Sequence, residues 1–257
     1  MTELSVIIPT LKPEDEIESL RRLERLAFDD YEVIVRDDDR ATTARNEGIE
    51  RAESDKLVFL DDDSLPAEGY LERAAELLDR EAAVAGRVVH PRDDVVKRFT
   101  GHYALADSAK YVSRFWGCNM LVRREVFEDV GMWDEEITWG HEEKELAERV
   151  LHEYPIYYDP DLLVYHAYAD SIVDLWRKAY RMERQTPHYW DRVGRPRSQQ
   201  WVDTVRLLLD PFKYVGYSAP HTVARAGRTV ARVAGRTSGL LDSASTGGGR
   251  RRDLPFF

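Results

Sequence analysis

Cysteine, lysine and long hydrophobic runs are all scarce in this sequence. Its 257 residues include one cysteine, Cys118, which excludes a disulfide framework and a multi-cysteine zinc or iron–sulfur site. No stretch approaches the roughly 18 consecutive apolar residues that indicate a transmembrane helix. The first residues, MTELSVIIPT, lack the basic and apolar regions of a secretory signal. Hydrophobic residues make up 43% of the chain, which is enough for a core, so we expect a globular, cytoplasmic protein.

Basic residues are outnumbered by acidic ones, and few of them are lysines. There are 37 Lys and Arg, only seven of them Lys, against 48 Asp and Glu, which gives a formal net charge of −11. This balance argues against general nucleic-acid binding, because phosphates require basic partners. The acidic, lysine-poor composition favours an origin in a high-salt cytoplasm, where salt screens the self-repulsion of the protein. The alternative is an ordinary acidic protein from a GC-rich genome.

Apolar runs alternate with amphipathic segments along the first 170 residues. This alternation predicts an α/β fold with a Rossmann-like, mostly parallel sheet and helices on both faces. The predicted strands cover residues 5–10, 31–36, 56–60, 83–89, 117–122 and 162–165. The predicted helices cover residues 14–27, 43–53, 69–80, 124–130 and 142–152. A helical C-terminal extension follows, with predicted helices in 170–189, 201–215 and 222–236 and an expected disordered segment, 243–252.

Two aspartate triplets follow predicted strands. Residues 37–39 come after the second strand and residues 61–63 after the third. Ligands of open parallel sheets bind beyond the carboxyl ends of the strands, and carboxylates there are natural ligands for Mg²⁺ or Mn²⁺. The alternative is a chance triplet in a solvated turn.

Four further positions are weighed for a chemical role. Glu142 and Glu143 begin a predicted helix, where acidic side chains stabilise the helix dipole or, as a pair, supply a general base. His166 follows the last predicted strand and is either a metal or diphosphate ligand or a structural histidine. Cys118 is typical of a small buried residue.

Eight motifs occur in an order that is typical of one enzyme family. They are SVIIPT (5–10), VIVRDD (33–38), ARNEGI (44–49), FLDDD (59–63, with Pro66 after it), GCNM (117–120), GMWDE (131–135), EEKEL (142–146) and His166. In this order the sequence resembles the family 2 inverting glycosyltransferases, which have the GT-A fold. The resemblance covers about residues 4–170.

The resemblance implies a site for a nucleotide-sugar donor. Asp37 or Asp38 would contact the nucleotide base, Asp61 would face the ribose, and Asp63 would bind a divalent ion, Mg²⁺ or Mn²⁺, on the diphosphate. The donor-binding residues that it implies are Pro9, Asp37, Asp38, Arg45, Asp61 and Asp62, and the metal ligands are Asp63, Asp61 and His166. The donor is expected to be a UDP-sugar. A GDP-sugar stays open as the alternative, because segment 39–43 is shorter than the loop of relatives that contacts the nucleotide base.

The resemblance also implies the reaction. Glu143, paired with Glu142 where relatives have Glu-Asp, would deprotonate an acceptor hydroxyl that attacks the anomeric carbon with inversion. We therefore predict a metal-dependent inverting hexosyltransferase acting on a glycan or lipid-linked acceptor, in surface-polysaccharide or glycoprotein assembly. Two alternatives stay open, a nucleotidyltransferase and a non-catalytic module that binds a sugar nucleotide or a partner.

We expect three segments along the chain. Residues 1–170 would form the catalytic domain, with a nucleotide-sugar half (1–90) and an acceptor half (91–170). Helices in 171–220 follow, with the aromatic stretch 176–190 as a candidate acceptor platform, and then a basic helix and tail in 221–257. Four arginines share one face of this helix and are candidates for contact with an anionic membrane on its inner side, or for a solvated face: Arg225, Arg228, Arg232 and Arg236.

Overall fold

The computed structural model describes residues 2–92, 105–137 and 140–245. The chain forms two compact units, Met1–Ile172 and Val173–Phe257, called unit 1 and unit 2 below. Of the segment 243–252 that was expected to be disordered, residues 243–245 are the last residues of a helix, and the rest lies outside the described residues.

One sheet forms the centre of unit 1. Its strands, within the described ranges, are β1 (Leu4–Pro9), β2 (Tyr31–Arg36), β3 (Lys56–Phe59), β4 (Leu65–Pro66), β5 (Ala83–Val89), β6 (Lys110–Val112), β7 (Met120–Arg123) and β8 (Ile156–Tyr165). Their order is β2-β1-β3-β7-β5-β8-β4, and β6 also pairs with β8. Five strands, β1, β2, β3, β5 and β8, run in the same direction, whereas β4, β6 and β7 run antiparallel to their neighbours. The predicted α/β fold with a mostly parallel sheet is confirmed.

The helices follow the predicted order, with shifted ends. They are α1 (Glu18–Leu23), α2 (Ala41–Arg51), α3 (Tyr70–Leu78), α4 (Arg124–Val130), α5 (Glu142–Glu153), α6 (Ile172–Arg192), α7 (Arg197–Leu209) and α8 (Ala219–Ser245). The predicted helix 14–27 is shorter than expected, because a 3-10 turn, Glu14–Glu16, precedes α1. The predicted strand 117–122 was wrong at its start, since β7 begins only at Met120.

The period-two pattern of the strands decides which helices cover each face of the sheet. In β1, Val6 and Ile8 are fully buried in a cluster that includes residues of α1 and α3. Ile7, between them, belongs to a second cluster, on the opposite face, with residues of α2, α4 and α5. Successive strand side chains point to opposite faces, so both faces of the sheet are covered, as the fold class requires.

A glycine brings helix α2 close to the sheet. A Cβ added to Gly48 would lie 2.5 Å from Cγ2 of Ile7 on β1, well inside ordinary carbon contact. Any larger residue would therefore push α2 away from the sheet. Because Arg45 lies on the same helix, the contact at Gly48 fixes how far its guanidinium reaches.

Asn119 explains why β7 starts late. Its buried side-chain amide donates hydrogen bonds to the carbonyl oxygens of Arg87 and Leu162, each at 2.9 Å, and its side-chain oxygen accepts one from the Tyr70 hydroxyl. These contacts lie where the pairing of β5 and β8 shifts register, between Gly86 and Arg87. Asn119 thus belongs to a bridge between strands, and residues 117–119 form a fixed loop before β7.

Unit 2 is built around a buried acidic residue. The Glu183 carboxylate on α6, almost completely buried, accepts hydrogen bonds from Arg232, at 2.5 Å, and from Arg236, both on α8. Burial alone would raise the pKa of Glu183, but the two guanidinium groups outweigh it and lower the pKa to about 2. A buried carboxylate that stays charged in this way ties α6 to α8.

These contacts correct one prediction about unit 2. The arginine face of the predicted helix 222–236 is not free for a membrane, because Arg232 and Arg236 bind Glu183 and Arg225 donates to the Phe212 carbonyl. In the stretch 176–190, which stays a prediction as an acceptor platform, Tyr189 and Trp190 are buried. Among the residues that the structure describes, no helix combines the length and apolarity that crossing a bilayer requires.

Candidate functional site

Strands β3 and β8 bring two aspartates and a histidine together at one edge of the sheet. Asp61 and Asp63 follow β3, and His166 follows the parallel strand β8. The Nε2 atom of His166 lies 3.2 Å from Oδ1 of Asp63 and 3.9 Å from Oδ2 of Asp61. The His166 backbone also donates to the Val89 carbonyl at the end of β5, so three strand ends position this ring.

The other sequence-predicted donor residues have a variety of partners. The carboxylate of Asp62 binds the Thr10 hydroxyl, just beyond Pro9 at the end of β1, and the Lys12 ammonium at 2.7 Å. After β2, Asp38 forms a two-point contact with Arg36, at 3.0 Å for each hydrogen bond, whereas Asp37 is exposed. Asp62 therefore joins the ends of β1 and β3, and Asp37 is the more open of the two candidates for a nucleotide base.

The glutamate pair lies at the N-terminus of α5. The helix is preceded by His141, whose φ of 74° is in the left-handed region, and by Gly140 with a φ of 71°. This turn directs Glu142 and Glu143 into the interior, and only 11% of the Glu142 side chain is exposed. Within the described ranges, no hydrogen bond satisfies the Oε2 atom of Glu142.

Arg45 connects the aspartates with the glutamates. Its buried guanidinium donates to Oδ1 of Asp61 at 3.1 Å, and its Nη1 lies 3.9 Å from Oε1 of Glu142. The Trp133 ring covers it, with Cζ 4.7 Å from the ring centroid. Neither Nε nor Nη1 of Arg45 has a hydrogen-bond partner among the described residues. A buried guanidinium with unused donors is unusual, and it marks a place where a polar ligand fits.

Burial raises the pKa of both glutamates. For Glu142, burial and then the Glu143 carboxylate raise the pKa to about 8. For Glu143, burial raises the pKa although the positive charge of Arg45 lowers it. A carboxylate with a raised pKa accepts a proton more readily near neutral pH, which is the property that a general base needs.

Asp63 shows the opposite shift. Burial would raise the pKa of Asp63, but its hydrogen bond with His166 outweighs this and lowers the pKa below its ordinary value. Asp63 is therefore an anionic oxygen donor beside an imidazole nitrogen.

The residues present fit a divalent cation. Ligand atoms of Asp61, Cys118 and His166 all lie within 4.8 Å of one another, and Asp63 adjoins His166. Carboxylate oxygens suit Mg²⁺ and Mn²⁺, and the imidazole suits transition metals such as Mn²⁺ better than Mg²⁺.

Sequence reasoning gave no role to two positions in this site. A Cβ added to Gly117 would lie 2.5 Å from Oε1 of Glu143 and 2.7 Å from Nη2 of Arg45, so this glycine makes room for both. Cys118 was interpreted as a small buried residue, and it is buried, but it also lies beside His166 and Asp61. The GCNM motif contained both residues, but no local pattern indicated which distant side chains they would contact.

Comparison with known proteins agrees with this description. Residues 39–131 match the sequence profile of Glycosyl transferase family 2. The chain is 23% identical over 245 residues to glycosyltransferase AglE of Haloferax volcanii, which covers 90% of this chain and 79% of AglE. The sequence resemblance to family 2 glycosyltransferases is thus confirmed.

Solved structures show the same fold. One is the mannosyltransferase PcManGT from Pyrobaculum calidifontis, solved in complex with GDP-Man and Mn²⁺. The match covers 96% of this chain and 76% of the PcManGT chain, with a TM-score of 0.54 and 17% sequence identity. GalNAc-T7, solved with UDP, GalNAc and Mn²⁺, matches 64% of this chain with a TM-score of 0.51 and 13% identity. This match spans 43% of the GalNAc-T7 chain. The GT-A-type fold is confirmed, and together the comparisons support glycosyltransferase function.

Proposed function

From a GT-A-type fold whose residues 39–131 match family 2 glycosyltransferases, we propose a metal-dependent inverting glycosyltransferase that moves a hexose from a nucleotide-diphosphate-sugar to a hydroxyl acceptor. The observation that carries the proposal is the position of Arg45. Its buried guanidinium lies between Asp61, on the aspartate and histidine side, and the glutamate pair. One cation thus links the groups that would hold a donor to the groups that would take a proton.

The donor side would bind charge and orient the ribose. Asp63 and His166, with Asp61, would hold the divalent ion, which supplies neutralising charge for the diphosphate leaving group. Asp61, fixed by Arg45, would accept hydrogen bonds from the ribose hydroxyls, and the exposed Asp37 would meet the base. The complexes of GalNAc-T7 with UDP and of PcManGT with GDP-Man make both nucleotides reasonable probes.

The acceptor side would supply the base. Glu143 would take the proton of the acceptor hydroxyl as that oxygen attacks the anomeric carbon from the face opposite the diphosphate. The raised pKa of Glu143 favours this transfer, and the positive charge of Arg45 acts in the other direction, towards the charged carboxylate. A base is needed for a hydroxyl and not for a phosphate, so we expect a glycan or lipid-linked hydroxyl acceptor.

Calorimetric titration tests the donor site. UDP and GDP are each titrated into the protein with and without Mn²⁺, and the same titrations are repeated with Asp63→Asn. We expect one nucleotide to bind in the presence of Mn²⁺ and its affinity to be at least about tenfold lower in the variant, because the loss of the Asp63 charge weakens binding of the ion. If a folded protein binds neither nucleotide, the proposal is wrong.

Glu143→Gln tests catalysis separately. The substitution keeps the size of the side chain and removes the base, so transfer should fall by about 10²-fold or more while nucleotide affinity is retained. Unchanged transfer would remove Glu143 from the mechanism. Glu128→Gln, on α4, is the matched control, since it changes the same residue type outside the site.

A further inference from the structure

Helix α7 carries a row of exposed apolar side chains along one side of unit 2. Those on α7 recur every three or four residues, so they share one helical face, and the 3-10 turn Pro211–Lys213, which follows the extended residue Asp210, carries a further exposed apolar side chain. We call this set the apolar stripe; its members and exposed fractions are Trp201 40%, Val205 47%, Leu208 48%, Leu209 71% and Phe212 81%. Single exposed apolar residues are ordinary, but a contiguous row marks an interaction surface.

The most exposed member of the apolar stripe sits on a fixed backbone. The Phe212 amide donates to the Asp210 carboxylate at 3.0 Å, and the Phe212 carbonyl accepts from Arg225 at 2.8 Å. The neighbouring Lys213 carbonyl accepts from the Thr229 hydroxyl at 2.8 Å. Helix α8 therefore holds the turn in place while the Phe212 ring is exposed to solvent. A partner could bind the ring without the loss of entropy that ordering a flexible backbone would require.

The two units carry net charges of opposite sign. Unit 1 contains 21 Lys and Arg against 41 Asp and Glu, a formal charge of −20, whereas unit 2 contains 16 against 7, a formal charge of +9. Arg206, next to the apolar stripe, forms a loose ion pair with Asp203 at 3.6 Å but is still 71% exposed at its side chain, and Lys213 is exposed as well. A partner of unit 2 should therefore be negatively charged and should offer an apolar interior.

We propose that unit 2 docks on an anionic lipid bilayer through the apolar stripe. Exposed aromatic and aliphatic side chains beside arginine and lysine match the boundary between acyl chains and anionic headgroups. A second copy of the chain fits less well, because a symmetric contact between two stripes would bring together two units of charge +9. This docking uses α7 and the following turn, not the arginine face of α8.

Vesicle co-sedimentation of the full chain tests the proposal. The probes are vesicles of phosphatidylcholine alone and vesicles with about one third phosphatidylglycerol. Three proteins are compared: the natural chain, a double variant that combines Leu209→Ser with Phe212→Ser, and the single variant Leu11→Ser. Leu11, in unit 1, is 75% exposed and serves as the matched control. We expect binding to the anionic vesicles only, weakened at least about tenfold by the double variant, because each side chain loses its apolar burial, and unchanged by Leu11→Ser.

Three results would overturn the proposal. The first is that the natural chain fails to bind anionic vesicles. The second is that it binds neutral vesicles equally well, and the third is that the double variant binds as strongly as the natural chain. Sedimentation velocity at several protein concentrations, without lipid, provides the fourth test. A dimer that the double variant dissociates would assign the apolar stripe to a second copy and would refute the lipid assignment. Circular dichroism of each variant verifies its fold.

Discussion

Replacing Gly117 with alanine should impair transfer far more than folding. The new Cβ would lie 2.5 Å from Oε1 of Glu143 and 2.7 Å from Nη2 of Arg45. Ordinary contacts begin at about 3.5 Å, so each of these atoms must move by about 1 Å. Both are the ends of flexible side chains, and Gly117 has no left-handed φ, since the left-handed glycines are others. The backbone therefore accepts alanine at a cost of about 1–3 kcal/mol.

The expected loss of activity follows from that displacement. A misplacement of about 1 Å in a reacting group costs about 10²-fold in rate, so kcat should fall by about 10²-fold. The assay measures transfer by the release of UDP or GDP. Nucleotide affinity, measured by calorimetry, should change by less than kcat does, because the three atoms nearest to the added Cβ belong to Glu143 and Arg45 and not to Asp63 or His166.

Gly69→Ala is the control for a general effect of alanine in unit 1. Gly69 has a φ of 72° and no atom within 4 Å of an added Cβ, so alanine costs about 1 kcal/mol of backbone strain without touching the site. Activity of Gly69→Ala should equal that of the natural protein. If Gly117→Ala is folded and keeps its kcat within about threefold, the assigned packing of Glu143 and Arg45 is incorrect.

Four further predictions concern charged side chains and the divalent ion. Glu183→Gln should destabilise unit 2 by about 3 kcal/mol, because two partly buried guanidinium groups lose their counter-charge; urea unfolding followed by tryptophan fluorescence measures this, and an unchanged midpoint would contradict the ion pairs of Glu183. Because the pKa of Glu183 is lowered to about 2, its stabilisation is present above the unfolded value of about 4.3 and is lost as pH falls towards 2; the natural chain should thus lose stability over this range and Glu183→Gln should lose less. Arg45→Met should move the acidic limb of the pH–rate profile to higher pH, since Arg45 lowers the pKa of Glu143; a shift to lower pH, or none, would show that Glu143 is not the titrating base. Chelation of divalent ions should abolish transfer, Mn²⁺ should restore it, and His166→Ala should raise the Mn²⁺ concentration needed by about tenfold or more.

Strand ends could be predicted from the sequence because their signals are local. The runs before the aspartate triplets are short and apolar, and parallel strands deliver the residues after them to one edge. The structure accordingly brings Asp61, Asp63 and His166 together. The start of β7 could not be predicted in this way, because Asn119 is held by partners on β5, β8 and α3.

The inward arginines of α8 show a limit of periodicity. Helical spacing correctly indicates that Arg232 and Arg236 share a face, but it does not say what covers that face. A charged face ordinarily points to water, and here Glu183 on another helix reverses the expectation. In consequence Val223 and Val230, on the opposite side, are the exposed residues. The contacts of Arg45 could not be predicted for the same reason, since its partners lie on separate elements.

The pairing of Glu183 with α8 sets how the C-terminal part of the gene can change. Deletions that remove residues after Ser245 leave the ion pairs intact, whereas a stop codon before Arg232 would leave the buried Glu183 carboxylate without either of its arginine partners. A single-residue insertion in α8 between Arg225 and Arg232 would rotate both later arginines by about 100° away from their partner. Length variation among related genes should therefore concentrate beyond the end of α8, and frame-preserving insertions or deletions within it should be rare.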